Sequence, residues 1–374
     1  MKRENENTHI CFVTPYGYSH LNPGSANSAG GAERQQYLIG KELVRRGYKV
    51  SFIVINQNGP EFEKIDGINV WKSLPMIRYN YKKDMVKFPY FLYKLIKRIY
   101  LIDADVYYSR ANPPLSALVG SACKILRKKY IYSIGNDSDV NSEMVRNYSK
   151  TIRVMYLRSM KSADMIIAQT SRQKKLLRQN FGLQSKVVPN GYSLPDRSEL
   201  LDFADRDHIL WVGTIEKEQK KPERFLRLAE KIEEGNFVMV GSGKNPEYVQ
   251  EVQSRAQEIP NLTYKGFVPP DEIHECYRTS VLVVNTSDYE GFPNVFLEAW
   301  RYSVPVLSLH HTLDGILVNE IGGIHAGSFE ALVESVRDLW KNRAKAAKLG
   351  EGGRDHMVEN YDMDNIIDEY CCIL

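Results

Sequence analysis

Short apolar runs that alternate with helix-like segments constrain this chain more than any other feature of its sequence. The runs are rich in Val and Ile and short enough to be buried strands, as at residues 10–14, 48–55 and 281–285. Uniformly apolar strands are typical of parallel sheets covered by helices on both faces. Right-handed strand–helix–strand connections then predict a doubly wound α/β fold.

The alternation occurs in two series, separated by a polar stretch that begins at Pro189-Asn190-Gly191 and runs to Arg206. A chain of 374 residues is long enough for about two domains with full cores. We therefore predict two Rossmann-like domains facing a cleft, at residues 1–192 and 205–357, followed by a C-terminal helix at 358–374. The other predicted strands lie at 106–109, 130–134, 165–169, 209–212, 237–240, 262–264 and 305–308.

The formal charge of +4 conceals two oppositely charged halves. Residues 1–190 carry 31 Lys and Arg against 14 Asp and Glu, a net charge of +17, whereas residues 191–374 carry 19 against 32, a net charge of −13. A half this basic predicts an anionic partner, such as a membrane surface, a nucleic acid or an acidic substrate.

Targeting and cysteine patterns point to the cytoplasm. The apolar runs are far shorter than the roughly 20 residues of a membrane span, and the charged start does not resemble a signal peptide. The five cysteines are scattered and odd in number, which favours reduced thiols. We expect a cytoplasmic protein.

The segment EGFPNVFLE, residues 290–298, carries two carboxylates between a predicted strand and a predicted helix. Glu290 lies in the loop, and Glu298 is expected about two turns inside the helix. A carboxylate accepts two hydrogen bonds side by side, which suits a vicinal diol, and a helix N-terminus offers free amides and a positive dipole end. The segment is suited to holding a polyol, although an ordinary helix start with an acidic cap is the alternative.

This paired-glutamate segment resembles that of the retaining GT4-like glycosyltransferases (glycosyltransferase group 1), which have the GT-B fold. The resemblance implies that Glu290, with the backbone around Phe292 and Pro293, holds the donor sugar, and that Glu298 holds the nucleotide ribose. It also implies a C-terminal helix that packs back on the N-terminal domain. The nucleotide sugar is a co-substrate, and no cofactor is expected.

Other segments match the same family. They are the loop Gly30-Gly31-Ala32-Glu33-Arg34, the segment around Trp211 to Thr214, and Lys220-Lys221 before Pro222, where Lys220 would stabilise the departing diphosphate. The family usually has Arg at the position of Thr214, so either Lys217 or Lys221 compensates or donor binding is weaker. The donor-binding residues implied are Gly30, Gly31, Gly213, Thr214, Lys220, Lys221, Gly241, Phe267, Val268, Glu290, Gly291, Phe292, Pro293, Asn294, Val295 and Glu298.

The main departure from the family is a missing catalytic histidine in the N-terminal half. The corresponding place contains Asp137 and Asp139, so the predicted catalytic residues are Glu290, Lys220 and Asp137. Asp-x-Asp recurs in this chain, for example at 103–105, 137–139 and 362–364, so the pattern is weak evidence for a metal site. We expect no metal, and no Cys/His set has zinc spacing.

Basic and aromatic residues are interleaved over residues 78–101, which are too charged to span a membrane but suit the plane of an anionic one. Lys82, Lys83, Lys94 and Lys97 are the predicted contacts. The alternative is a surface helix whose apolar side packs on the sheet.

The sequence therefore predicts a retaining hexosyltransferase. Its donor would be a UDP- or GDP-sugar, and its acceptor a lipid-linked or membrane-borne glycan. A GT-B sugar-nucleotide epimerase and a catalytically silent partner subunit are the alternatives. Nucleic-acid binding is a weaker third, because no recognised module is present.

Overall fold

A computed structural model describes residues 8–22, 30–56, 59–74, 88–142, 145 and 149–374. They form two compact units. Of the described residues, the first unit contains those up to Pro189 and those from Ile366 onward, and the second contains Asn190 to Asn365. The polar stretch 193–204, left between the two predicted domains, belongs to the second unit, where it forms two short 3₁₀ turns at Arg197–Glu199 and Phe203–Asp205.

The described part of the first unit is built on one sheet with the strand order β3-β4-β2-β1-β5-β6-β7-β8. Neighbouring strands are parallel except β3 and β4, which form an antiparallel hairpin at one edge. The sequence pattern did not predict this hairpin. The strands are β1 His9–Val13, β2 Lys49–Ile55, β3 Phe62–Ile65, β4 Ile68–Leu74, β5 Val106–Arg110, β6 Lys129–Ser133, β7 Met165–Ala168 and β8 Lys186–Val187.

Helices follow the strands of this sheet as the alternation predicted. Asn112 caps one of them, because its side chain accepts from the amide of Leu115, and Gly182 ends another with φ +67°. Asp137–Val140 forms a 3₁₀ turn. The described helices are α1 Tyr18–Leu21, α2 Gly31–Arg45, α3 Phe88–Ile102, α4 Pro113–Leu126, α5 Lys150–Lys161 and α6 Ser171–Phe181.

The second unit contains a parallel sheet with the order β11-β10-β9-β12-β13-β14. Two of its strands have the predicted limits, and the edge strand β14 was not predicted. The strands Phe237–Val240 and Ser280–Asn285 are buried along their whole length and mostly apolar, which explains why they read as continuous hydrophobic runs. The strands are β9 His208–Val212, β10 Phe237–Val240, β11 Leu262–Tyr264, β12 Ser280–Asn285, β13 Val306–Ser308 and β14 Gly323–His325.

Helices of the second unit alternate with these strands, and the chain ends in a helix that begins in the second unit and finishes in the first. Leu317–Asn319 is a 3₁₀ turn. The helices are α7 Pro222–Lys231, α8 Pro246–Gln257, α9 Ile273–Arg278, α10 Asn294–Trp300, α11 Phe329–Lys341, α12 Arg343–Asn360 and α13 Met363–Cys371. Among the residues that the structure describes, no helix is long and apolar enough to cross a membrane.

Candidate active site

The loops that follow β9 and β12 meet at the point where the strand order of the second sheet reverses. From β9 the chain proceeds to β10 and β11 on one side, whereas β12 and β13 lie on the other. In open α/β sheets such a switch point leaves a crevice outside the carboxyl ends of the strands, and ligands bind there. The residues predicted for the second domain all follow strands at this edge: Gly213, Thr214, Lys220 and Lys221 after β9, Gly241 after β10, Phe267 and Val268 after β11, and Glu290, Gly291, Phe292, Pro293, Asn294, Val295 and Glu298 after β12.

Lys220 and Glu290 meet across this switch point. The ammonium of Lys220 donates to Glu290 Oε1 at 2.6 Å. The two loops are also joined by their backbones, because the amide of Asp288 donates to the carbonyl of Gln219 and the hydroxyl of Thr286 donates to the carbonyl of Lys220. These contacts hold the two loops together and so place the side chains of Lys220 and Glu290 next to each other. The sequence had assigned Lys220 to the diphosphate and Glu290 to the sugar of one donor.

Glu290 is buried, and its carboxylate has several donors. Ser287 Oγ donates to Oε1 at 2.7 Å and Asn285 Nδ2 at 3.3 Å, while Gln219 Nε2 approaches Oε2 at 3.4 Å. Burial raises the pKa of Glu290, but the charge of Lys220 and the hydrogen bonds from Lys220 and Ser287 outweigh it, so this pKa lies below the ordinary value. Glu290 is therefore an ionised acceptor at neutral pH.

Glu298 lies in α10, held by two tyrosines. Tyr192 donates to Oε1 and Tyr277 donates to Oε2, each at 2.7 Å. The helix begins at Asn294, so Glu298 lies about one turn from its start; the expected two turns were wrong. Asn294, in turn, accepts from Asn190 Nδ2 at 2.6 Å.

The loops after β9 and β10 approach so closely that a side chain does not fit between them. A Cβ on Gly241, which has φ +154°, would lie 1.9 Å from the carbonyl oxygen of Gly213. A Cβ on Gly243 would lie 2.2 Å from the carbonyl oxygen of Ile215. Main chain therefore lines this side of the crevice.

Arg224 is a cation that sequence reasoning missed. It lies in the first turn of α7 and donates to the carbonyl of Thr286 and to the carboxylate of Asp288. Lys221 directly precedes α7 with φ +50°, and its Nζ lies 3.8 Å from Asp288. Lys220 and Lys221 precede α7, so no helical period relates Arg224 to them, and the tertiary fold brings it to Thr286 and Asp288.

The remaining predicted residues belong to the first unit. Gly30 precedes α2 and its carbonyl oxygen contacts the His20 ring at 3.0 Å, while Gly31 is the first residue of α2. Asp137 accepts from the exposed guanidinium of Arg172 at 2.8 Å. Asp139 is buried and its Oδ2 accepts from the amides of Gly135 and Asn136, each at 2.9 Å.

Burial raises the pKa of Asp139 to about 6, against the lowering effect of the two amides. Asp139 thus organises the loop after β6, whereas Asp137 is the more accessible of the two. Among the described residues, no cluster of three His, Cys, Asp or Glu side chains has the geometry of a metal site.

The basic segment at 78–101 forms helix α3 from Phe88 onward, and one side of this helix is packed. Phe91, Leu95, Ile99 and Ile102 are buried in the core of the first unit, so the alternative of a surface helix that packs its apolar side is correct for this face. The opposite face exposes other aromatic and basic residues. Tyr90, Tyr93, Tyr100 and Leu101 are each more than half exposed, and Lys94 and Lys97 are exposed beside them. Lys82 and Lys83 lie outside the described residues.

Two family profiles match the chain in succession. Residues 29–194 match the family described as Glycosyltransferase Family 4, and residues 195–356 match Glycosyl transferases group 1. An uncharacterized glycosyltransferase of Haemophilus influenzae is 25% identical and covers 96% of this chain and 99% of its own. The α-galactosylglucosyldiacylglycerol synthase of Streptococcus pneumoniae is 24% identical over 78% of this chain and 75% of its own.

Solved structures share the whole fold at low sequence identity. The sucrose-phosphate synthase of Thermosynechococcus elongatus superposes with a TM-score of 0.80 at 19% identity, covering 98% of each chain. Anabaena HepE in complex with UDP and glucose gives a TM-score of 0.73 at 16% identity, covering 97% of this chain and 98% of its own.

The two Rossmann-like domains and these matches define a glycosyltransferase with the GT-B fold. The chain belongs to the GT4-like family, glycosyltransferase group 1.

Proposed function

We propose that this protein transfers a hexose from a UDP- or GDP-sugar to an acceptor hydroxyl with retention of anomeric configuration. The observation that carries the proposal is the contact between the partly exposed Lys220 and the buried Glu290 at the switch point of the second unit. A carboxylate for sugar hydroxyls and a cation for phosphate at one crevice are the two parts that a nucleotide sugar requires. The complex of UDP and glucose with HepE, a protein of the same fold, supports this class of donor.

Each step of the proposed reaction has a candidate group. The acceptor oxygen bonds to the anomeric carbon, the bond from that carbon to the diphosphate breaks, and the acceptor proton passes to the departing phosphate. Lys220, partly exposed, stabilises the charge that develops on the diphosphate, and Glu290 holds the sugar hydroxyls. Asp137 is the candidate for a polar contact or a base on the acceptor side.

The test is incubation of purified protein with UDP- and GDP-sugars, combined with thermal unfolding. A true donor raises the unfolding temperature by mass action. Transfer to an added glycolipid acceptor with the anomeric configuration retained, read by NMR of the product, supports the proposal. Inversion of one stereocentre of the donor sugar without acceptor would identify an epimerase, and binding without turnover of any donor would identify a silent subunit.

We also propose that the acceptor is lipid-linked and presented by an anionic membrane surface. The supporting feature is the set of helices α3, α4 and α5, in which α3 packs against α4 and α4 against α5. None of the three contains Asp or Glu. Apart from Thr151, their exposed positions are basic, aromatic or apolar, with Lys124 and Ile125 at the end of α4 and Lys150, Val154, Arg158 and Lys161 along α5.

This composition suits an interface with anionic lipid, because each basic residue near such a surface contributes about 1 kcal/mol of attraction. The exposed tyrosines of α3 add rings of the kind that lie at headgroup level. The relative named for the synthesis of a galactosylglucosyl diacylglycerol gives further support for a glycolipid acceptor.

Vesicle co-sedimentation tests the membrane proposal. Vesicles of phosphatidylcholine with phosphatidylglycerol should bind the protein, salt should weaken binding, and phosphatidylcholine alone should bind little. Replacing Lys94 and Lys97 with Glu should weaken binding to the anionic vesicles. Lys231→Glu with Lys348→Glu changes the net charge equally at exposed positions of the second unit and is the matched control. Equal binding to both kinds of vesicle would favour a soluble acceptor.

A further inference from the structure

Glu298 differs from Glu290 in the kind of group that holds it. Glu290 is paired with a cation, whereas the two oxygens of Glu298 each accept from one neutral phenol, Tyr192 and Tyr277. Each carboxylate oxygen has two acceptor sites. One site per oxygen therefore remains for a ligand hydroxyl, and Glu298 itself is partly exposed.

From this geometry we infer that Tyr192 and Tyr277 are positioning residues, which orient the carboxylate of Glu298 toward the vicinal diol of the donor ribose. The inference rests on the proposed function, in which Glu298 binds that ribose. Neither tyrosine touches the reacting atoms in this assignment. Their effect is to hold one rotamer of Glu298, so that a diol finds both acceptor sites already in place.

Both tyrosines are deeply buried, which restrains their rings. Tyr277 and Tyr192 are nearly inaccessible to solvent, at 1% and 2% exposure. Burial and the neighbouring Glu298 raise the pKa of Tyr277 well above its ordinary value, so its hydroxyl keeps the proton that it donates.

Tyr192 is fixed by its backbone as well. Its amide donates to the carbonyl of Tyr361 at 3.2 Å, and its carbonyl accepts from the amide of Met363 at 3.3 Å. The guanidinium of Arg301 lies over its ring at 5.4 Å. These contacts restrain Tyr192, whose hydroxyl donates to Glu298.

The test must distinguish two roles of the tyrosines: orienting the carboxylate of Glu298 for a diol, and merely supporting the fold. We suggest calorimetric titration with UDP and GDP, each compared with its 2′,3′-dideoxy analogue, for Tyr192→Phe, Tyr277→Phe and Glu298→Gln. Phe removes the hydroxyl and keeps the ring. Each Phe variant should lose about tenfold in affinity for the ribonucleotide, the effect of one hydrogen bond to a charged group. Affinity for the dideoxy analogue should stay at the wild-type value.

Tyr37→Phe is the matched control, because Tyr37 also donates to a carboxylate, that of Asp66, in the first unit. It should bind both nucleotides like the wild type. An equal loss for the ribose and dideoxy forms would show that the tyrosines only support the fold. Wild-type affinities in both Phe variants would also overturn the inference. Should the buried Tyr277→Phe fail to fold, Tyr192→Phe decides alone.

The outcome for Glu298→Gln separates this inference from the proposed function. If that variant loses ribonucleotide affinity while the Phe variants do not, only the positioning role fails. If it binds both forms like the wild type, or if the wild type binds neither UDP nor GDP, the assignment of the donor site fails and the inference fails with it.

Discussion

Lys220 and Glu290 are separated by 70 positions in the chain, yet their side chains are joined by a 2.6 Å hydrogen bond. The pair neutralises a buried carboxylate and keeps it ionised. Breaking such a pair by removing one partner leaves an uncompensated charge, which destabilises by about 3–5 kcal/mol when both groups are fully buried. The side chain of Lys220 is 23% exposed, so we expect removal of Lys220 to lower the free energy of unfolding by less than this.

Replacement of Lys220 by Ala should lower kcat about 100-fold, because the departing diphosphate loses a positioned cation. The measurement is steady-state kinetics with the donor that thermal unfolding identifies. Lys231→Ala, at the exposed end of α7, removes the same charge and should leave kcat unchanged. Normal kcat in Lys220→Ala would contradict the assigned role.

Variants of Glu290 and Glu298 should differ in which kinetic parameter changes. Glu290→Gln should mainly lower kcat, because Glu290 is assigned to the reacting sugar. Glu298→Gln should mainly raise KM for the donor, because its assigned ligand is the distant ribose. Both measurements use the same donor series. A raised KM in Glu290→Gln with a lowered kcat in Glu298→Gln would instead assign Glu290 to the ribose and Glu298 to the reacting sugar.

Activity should persist in EDTA. The proposed stabilisation of the leaving phosphate uses Lys220 in place of a bound ion. Assays with and without chelator, before and after addition of Mg²⁺ or Mn²⁺, test this. Complete loss that a metal restores would direct attention to Asp137 and Asp139 as ligands.

Asp139→Asn should stabilise the protein progressively as pH rises. The pKa of Asp139 is raised to about 6 in the folded protein, above its unfolded value near 3.9. The protonated carboxyl of Asp139 therefore favours the folded state fully below pH ~4. This stabilisation is lost as pH rises through 6, by about 3 kcal/mol in total, because the carboxyl must then ionise in a buried place. Asn has no charge to bury, so the variant gains relative to wild type at high pH. Denaturant unfolding at pH 5 and pH 8 should show a larger benefit of Asn at pH 8. A benefit independent of pH would contradict the raised pKa.

Local pattern predicted most of the parallel sheet, because buried central strands are continuous apolar runs. The limits of β10 and β11 agree with those predicted, 237–240 and 262–264. The β3–β4 hairpin was missed since its exposed edge strand, Phe62–Ile65, has no apolar run. The sequence INVWKSL of its partner, Ile68–Leu74, begins with apolar and polar residues in alternation, which was the signal available for a half-buried strand.

The partners of the predicted residues were beyond sequence reasoning for a different reason. The motif around Glu290 and Glu298 places both carboxylates near the end of β12. Nothing in that motif indicates that Tyr192, 106 positions away, donates to Glu298. Contacts at such separations depend on the tertiary fold, and no local period encodes them.

The close approach of Gly241 to Gly213 has a consequence for how this region tolerates mutation. Main chain fills the space that a methyl group would need, so any replacement of Gly241 must displace backbone before it can alter a ligand contact. In a saturation mutagenesis library, variants at Gly241 and Gly243 would therefore be depleted through reduced cellular abundance of the protein. At Lys220, where no backbone has to move, the same library would lower activity far more than abundance. Abundance and activity, measured in parallel, would thus distinguish residues that shape the crevice, such as Gly241, from residues that act on the ligand, such as Lys220.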